Sequence, residues 1–182
     1  IKPFEKVWYN RNENREVVQM IKYNKSLETL AHDILVKNDM LKLPVNLISI
    51  ADKNGIDVYY SKLPEGVSGA IRYNSSTKRF QIIVDSDDNP RRRRFTLAHE
   101  IAHFFLQREV LSTNEEIHYD VLYRKTYSEK EHEVDYLAGA ILMEQDILKE
   151  LYAINPSISE LAKVFNVSES ALTVRLMQLQ IL

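Results

Sequence analysis

Residues 95–106 read Phe95-Thr96-Leu97-Ala98-His99-Glu100-Ile101-Ala102-His103-Phe104-Phe105-Leu106. Projected at about 100° per residue, the apolar side chains cover most of the circumference, which predicts a nearly buried helix. Its single polar stripe contains Thr96, His99, Glu100, His103 and Gln107. Buried polar groups need partners, and one metal ion can satisfy both imidazoles.

The spacing within this stripe is that of a metal-dependent hydrolase. His99 and His103 lie one helical turn apart, so both can reach a single Zn²⁺ at roughly 2.0–2.1 Å. Glu100 would then lie beside the metal as general base, taking a proton from the attacking water and passing it to the leaving amine. Two histidines on an ordinary helix are the alternative, which the apolar surroundings disfavour. The sequence therefore predicts a zinc-dependent peptidase with one Zn²⁺ per chain.

A catalytic zinc needs a third protein ligand. The chain has no cysteine, so this ligand must be a histidine or a carboxylate. Glu131, His132, Glu133 and Asp135 open the next predicted helix, and periodicity alone does not choose among them. Ser128 and Glu131 match a capping box, which leaves Glu133 as the better ligand.

The flanking segments predict an α+β fold. Apolar spacing indicates a helix that begins after Ser26, and a shorter one with Pro44 in its first turn and Gly55 at its end. Three strands are expected at 56–60, 67–73 and 79–85, forming a small antiparallel sheet on the His99 helix. Asn89 and Pro90 suit the start of that helix. Residues 109–127 show no firm pattern and are expected to form a loop.

A sheet edge beside such a cleft commonly takes an extended peptide as an added strand. Residues 68–73, with Gly69, Ala70 and Ile71 at their centre, are the candidate for substrate binding. A donor for the developing oxyanion is also needed. The sequence leaves that choice open among His118, Tyr119, Tyr123, Tyr127, His132 and Tyr136.

The last helical pair, read at about 158–165 and 169–179, has the spacing of a helix-turn-helix. Its second helix offers Arg175 as its only cation, so we do not expect direct DNA binding. Arg91 to Arg94 form the one strong basic run. They are expected to pair with Asp85, Asp87 and Asp88, and the functional alternative is contact with an acidic substrate.

Composition gives no sign of a nucleic-acid or membrane partner. The 182 residues carry a net charge of −2 with a sequence pI near 6.3, and 45% are hydrophobic. No apolar run is long enough to cross a bilayer. The absence of cysteine fits a reducing compartment, so we expect a cytoplasmic protein.

Two long segments carry a resemblance to a known family. Residues 93–103, with the following stretch 131–143, resemble the ImmA/IrrE metallopeptidases, and weaker similarity extends over about 26–182. Three positions depart from the family pattern: Ala102 replaces Gly, Asp135 replaces Asn, and Glu144 replaces Pro. Asp135 matters most, because it could hydrogen-bond a ligating histidine or compete for the metal.

The resemblance implies a zincin-like core of the gluzincin type at 26–156, an arm of open structure at 1–25, and a helical pair at 157–182. It implies that His99, His103 and Glu133 bind zinc and that Glu100 is the base. It also implies an anti-repressor: a site-specific endopeptidase that cleaves a helix-turn-helix repressor encoded nearby, often on a mobile element, and so regulates transcription. The alternatives are a DNA-binding regulator and a partner-binding module with a structural or silent zinc site.

Overall fold

The computed structural model describes residues 22–113, 118–121 and 129–182. These residues form an α+β fold, which confirms the predicted class. Its elements in chain order are α1 (Lys25–Lys37), α2 (Leu47–Lys53), β1 (Ile56–Ser61), β2 (Val67–Asn74), β3 (Arg79–Asp85), α3 (Pro90–Thr113), β4 (His118–Val121), α4 (Glu129–Leu142), α5 (Gln145–Ile154), α6 (Ile158–Phe165) and α7 (Glu169–Gln178).

The first two helices begin at asparagine caps. Asn24 caps α1 by accepting a hydrogen bond from the backbone N–H of Leu27, so the helix begins before Ser26, not after it. Asn46 caps α2 in the same way, and Pro44 therefore lies ahead of the helix instead of in its first turn. Gly55 has φ +73° after α2, as predicted for a left-handed helix end.

The sheet differs from the expected antiparallel trio. It has four strands in the order β1-β3-β2-β4. β1 pairs with β3 in parallel, whereas β2 is antiparallel to both β3 and β4. β4 lies within the stretch 109–127, which was expected to be a loop and whose first residues extend α3 to Thr113.

Helix α3 packs on the sheet through its apolar side chains. Buried and partly exposed residues alternate along β3, and Phe80, Ile82 and Val84 are buried on the face toward the core. The rings of Phe80 and Phe104 meet edge to face at a centroid distance of 5.0 Å. Residues 96–104 of α3 are all buried, so the predicted near-complete burial of this helix is confirmed.

The C-terminal pair α6 and α7 has the predicted bounds within one residue and joins the same hydrophobic core. Ser157 and Ser168 cap the two helices with their side chains. Leu161, Phe165 and Leu176 are buried in the cluster that also contains residues of α1, α3 and α4. No described helix combines the length and apolar character that a bilayer span requires.

Candidate metal centre

Helix α3 presents His99 and His103 side by side. The Nε2 atoms of the two imidazoles are 3.1 Å apart. Both side chains are buried, with residue exposures of 3% and 0%. The i, i+4 spacing on a straight helix places both rings on one face, so the predicted pairing of these two residues is present in the fold.

Glu131, in the first turn of α4, completes this cluster. Its Oε2 lies 3.6 Å from Nε2 of His99 and 3.6 Å from Nε2 of His103. The three side chains can offer one ligand atom each to a single metal ion. Glu131 is buried, with 6% of its surface exposed.

The expected third ligand was Glu133, and the structure corrects this choice. Glu133 is exposed, because it lies about 200° around α4 from Glu131. The expectation assigned Glu131 to a capping box with Ser128, which lies outside the described residues. A first-turn carboxylate is favourable next to the helix N-terminus whether or not it caps, so the capping pattern does not exclude a ligand role.

Asp135 lies one turn after Glu131 and contacts the other side of His99. Its Oδ1 is 2.7 Å from Nδ1 of His99. In a neutral imidazole, Nδ1–H donates to this carboxylate, and Nε2 then carries the lone pair that faces His103 and Glu131. This contact supports the hypothesis that Asp135 orients His99 as a ligand. It does not support the alternative that Asp135 competes for the metal.

The charges around His99 favour a cation. Burial lowers its pKa, but the hydrogen bonds that its imidazole donates to Asp135 and Glu131, and the nearby charges of Asp135 and Glu100, raise it more strongly. The net result is a pKa well above the ordinary value for histidine. A divalent cation would balance the same buried carboxylates.

The donor set fits zinc. In a tetrahedral site, two nitrogens at the usual zinc distance are roughly 3.3 Å apart, close to the separation of the two Nε2 atoms. One carboxylate beside two imidazoles is a common catalytic set, which leaves the fourth position open. The described residues thus form a site that could hold a metal ion.

Glu100 lies on α3 against the backbone of β2. Its side chain is completely buried. A β-carbon placed on Gly69 would be 2.5 Å from Cγ2 of Thr96 and 2.7 Å from Oε1 of Glu100, closer than real atoms approach. Gly69 therefore lets the strand approach the helix at the position of Glu100.

The predicted substrate edge is wrong. β2 lies between β3 and β4, and Gly69, Ala70 and Ile71 pair with strands on both sides. Ala70 and Ile71 are also buried. A strand paired on both sides has no backbone donors or acceptors left for an added peptide. These residues therefore cannot bind a substrate strand, and Gly69 instead packs against Thr96 and Glu100 of α3.

One oxyanion candidate is excluded by its contacts. The Tyr136 hydroxyl donates to Oε1 of Glu28 and accepts from the backbone N–H of Asn24, which holds it in a separate buried network. Tyr123 and Tyr127 lie outside the described residues. The side chains of His118 and Tyr119 also lie outside the described part of the chain, and the contacts described for His132 assign it no oxyanion role.

Fold and donor set together define the class: an α+β protein with a buried His-His-Glu cluster, in which the HExxH helix α3 supplies both histidines and the first turn of α4 supplies the glutamate. The chain belongs to the family described as IrrE N-terminal-like domain, Peptidase_M78, whose sequence model matches residues 51–177. This match confirms the resemblance seen in the sequence. No significant relative was found among curated protein sequences.

A solved structure shares the fold. It is described as a Mycobacterium tuberculosis transcriptional regulator, and it aligns with a TM-score of 0.61 at 20% sequence identity. The alignment covers 88% of this chain and 51% of the regulator, so this chain spans about half of that protein.

The corrected ligand had a signal in the sequence. A hydrogen bond to a histidine was one of the two roles considered for Asp135, and a residue one turn before it shares its helix face. Glu131 occupies that position. The four-residue spacing from Asp135, given more weight than the capping pattern, would have selected Glu131, the carboxylate that the structure places beside both histidines.

Proposed function

We propose that this protein is a zinc-dependent endopeptidase. The observation that carries the proposal is the buried cluster of His99, His103 and Glu131, with Glu100 completely buried on the same helix. The match to a peptidase family supports the same reading. A buried set of two imidazoles and one carboxylate has little structural use without a cation.

In this proposal His99, His103 and Glu131 hold the metal. When bound, zinc supplies Lewis-acid chemistry that polarises a peptide carbonyl and makes water more acidic. Asp135 accepts a hydrogen bond from Nδ1–H of His99, so Nε2 is the nitrogen that would bind the metal. Glu100 accepts a proton from the attacking water and returns it to the leaving amine.

We propose a helix-turn-helix repressor encoded nearby as the substrate, with cleavage relieving repression in the cytoplasm. The family resemblance supports this choice, and the structural neighbour is itself described as a transcriptional regulator. The anti-repressor role and any link to a mobile element rest on the resemblance alone.

The structure does not favour the DNA-binding alternative. Arg175 is the cation of α7, the helix that would contact DNA bases. It is buried and paired with Glu28 through two hydrogen bonds of 2.7 Å. It is therefore turned into the core and cannot contact phosphate. Without it, α7 has no cation, and DNA affinity depends on cations that neutralise phosphates.

The test compares two glutamates of the same chain. Zinc-loaded wild type, Glu100→Gln and Glu133→Gln are incubated with the repressor encoded by the neighbouring gene, and fragments are followed by mass spectrometry. Glu100→Gln should keep the metal and lose cleavage by about 10²–10⁴-fold, the usual contribution of a general base. Glu133→Gln, which changes an exposed carboxylate, should cleave like wild type.

Two outcomes would contradict the proposal. Equal cleavage by Glu100→Gln and wild type would mean that Glu100 is not the base. A repressor that binds wild type with zinc present but remains intact would identify the chain as a partner-binding module.

A further inference from the structure

A second concave site lies at the other end of the metal-binding helix. A groove of about 530 Å³ opens between α2, β1, the start of α3 and the turn between α6 and α7. This volume is in the range of small-molecule sites. Its floor includes the buried residues Val45 and Leu97, and its polar and exposed lining includes Asn46, Ile48, Tyr60, Arg93, Arg94 and Asn166.

The groove is positively charged. Two arginines line it, and no acidic side chain is found among its lining residues in the described part of the chain. The side-chain atoms Nε and Nη2 of Arg94 are buried and have no hydrogen-bond partner among the described residues. Burial also lowers the pKa of Arg94. Buried guanidinium donors without an acceptor are costly, so an anionic ligand in the groove would relieve this cost once the Arg94 side chain turns toward it.

The neighbouring arginines of the basic run are either exposed or held by other contacts. Arg91 is exposed. Arg92 lies 4.0 Å from Asp88 and donates to Oγ of Ser68. Arg93 lies over the ring of Tyr60. The predicted pairing with acidic residues therefore holds only for Arg92, and Arg94 is the arginine of this run with buried donors that lack a partner among the described residues.

We propose that this groove binds the phosphate group of a small phosphorylated molecule. Two guanidinium groups without an opposing carboxylate match a dianion, and arginine binds phosphate through paired N–H donors. The groove is larger than one phosphate group, and its apolar floor can accept the organic part of the ligand. A ligand there would contact both the start of α3 and the turn at Asn166.

Calorimetric titration of the zinc-loaded protein tests this site directly and does not depend on proteolysis. The probes are glucose 6-phosphate, inorganic phosphate, glucose and succinate, all at one ionic strength. Glucose 6-phosphate should bind, inorganic phosphate should bind more weakly, and glucose should not bind. Arg94→Met should weaken binding by at least about tenfold, the size expected for lost charge-assisted hydrogen bonds.

Arg91→Met is the matched control, because it removes the same charge from an exposed position of the same run. It should bind like wild type. Ile48→Trp adds bulk at an exposed position of the groove and should block binding without disturbing the core. It also serves as the test if Arg94→Met does not fold.

Melting in ligand-free buffer gives a separate readout. Arg94→Met should not lower Tm, because it removes an unpartnered charge. A lower Tm would show that Arg94 supports the fold instead of a ligand. Equal loss of binding in Arg91→Met, undiminished binding in Arg94→Met, or succinate binding as strong as that of glucose 6-phosphate would overturn the proposal.

Discussion

Asp135 Oδ1 lies 2.7 Å from Nδ1 of His99, on the side of the ring away from His103. Partners of this kind typically change metal affinity by about 10–100-fold. We therefore expect Asp135→Ala to weaken zinc binding by that order while leaving the helices intact. Titration against a fluorescent zinc chelator measures the affinity, and circular dichroism checks the fold. Unchanged affinity would show that His99 needs no such support.

Glu131 and Glu133 offer the same functional group on opposite sides of α4. Glu131→Ala should strip the metal from the purified protein, because its Oε2 lies equally close to both histidines. Glu133→Ala should keep about one zinc per chain, the stoichiometry of a single site. Mass spectrometry of the metal content distinguishes the two variants. A depleted Glu133→Ala with a loaded Glu131→Ala would restore the original ligand choice.

Arg175 and Glu28 form an ion pair in which both side chains are almost fully buried. Removing one partner of such a pair leaves an uncompensated charge and typically costs about 3–5 kcal/mol. Glu28→Gln should therefore lower the free energy of unfolding by that order in urea titrations. The exposed pair of Lys163 and Glu160 provides the control. Glu160→Gln should change stability by no more than about 1 kcal/mol.

Gly69 and Gly139 differ in the space around them. Gly69→Ala would force its β-carbon against Thr96 and Glu100, and overpacking of this kind costs about 1–3 kcal/mol. Gly139 lies inside α4, where an added β-carbon would be 3.9 Å from Cδ of Arg175 and from Oε1 of Gln178. Gly139→Ala should be stabilising by about 0.5–1 kcal/mol, because alanine favours the helix. Urea unfolding compares the two, and equal effects would contradict the close approach at Gly69.

The raised pKa of the Tyr136 hydroxyl predicts a loss of stability at alkaline pH. Burial, together with its hydrogen bond to Glu28, raises the pKa of this hydroxyl to about 12. The unfolded chain releases the proton near pH 10, whereas the folded chain keeps it. The stability linked to this proton is therefore complete below about pH 10 and falls as the pH approaches 12.

Urea unfolding at several pH values from about 9 to 12 measures this effect. In Tyr136→Phe the decline with pH should become shallower, although the variant is less stable at neutral pH. Tyr59 is about half exposed and serves as the control. Tyr59→Phe should show the wild-type decline, and an equal decline in all three proteins would exclude Tyr136 as its source.

The features that the sequence predicts well depend on local spacing. His99 and His103 share a face because they are four residues apart, and the burial of α3 follows from its apolar circumference. The bounds of α6 and α7 follow from serine caps and short apolar stripes. Each of these signals lies within a few residues of the structure it specifies.

The features that the sequence does not reveal depend on distant contacts. Whether Glu131 or Glu133 faces the histidines is decided by how α4 docks on α3, and the two positions differ by only two residues. The interior position of β2 depends on β4, whose sequence lacks a clear strand pattern. From the sequence of α7 alone, Arg175 is expected to be an exposed cation. Its partner Glu28 lies far away in the chain, so the sequence does not reveal that Arg175 is buried and paired.

The pairing of Glu28 with Arg175 spans 147 positions of the chain, which has a consequence for biosynthesis. A ribosome makes Glu28, both histidines and Glu131 well before it makes Arg175. In this interval the carboxylate of Glu28, which also holds Tyr136 of α4, lacks its counter-charge. We therefore expect α4 to dock firmly against α1 only after α7 has been translated.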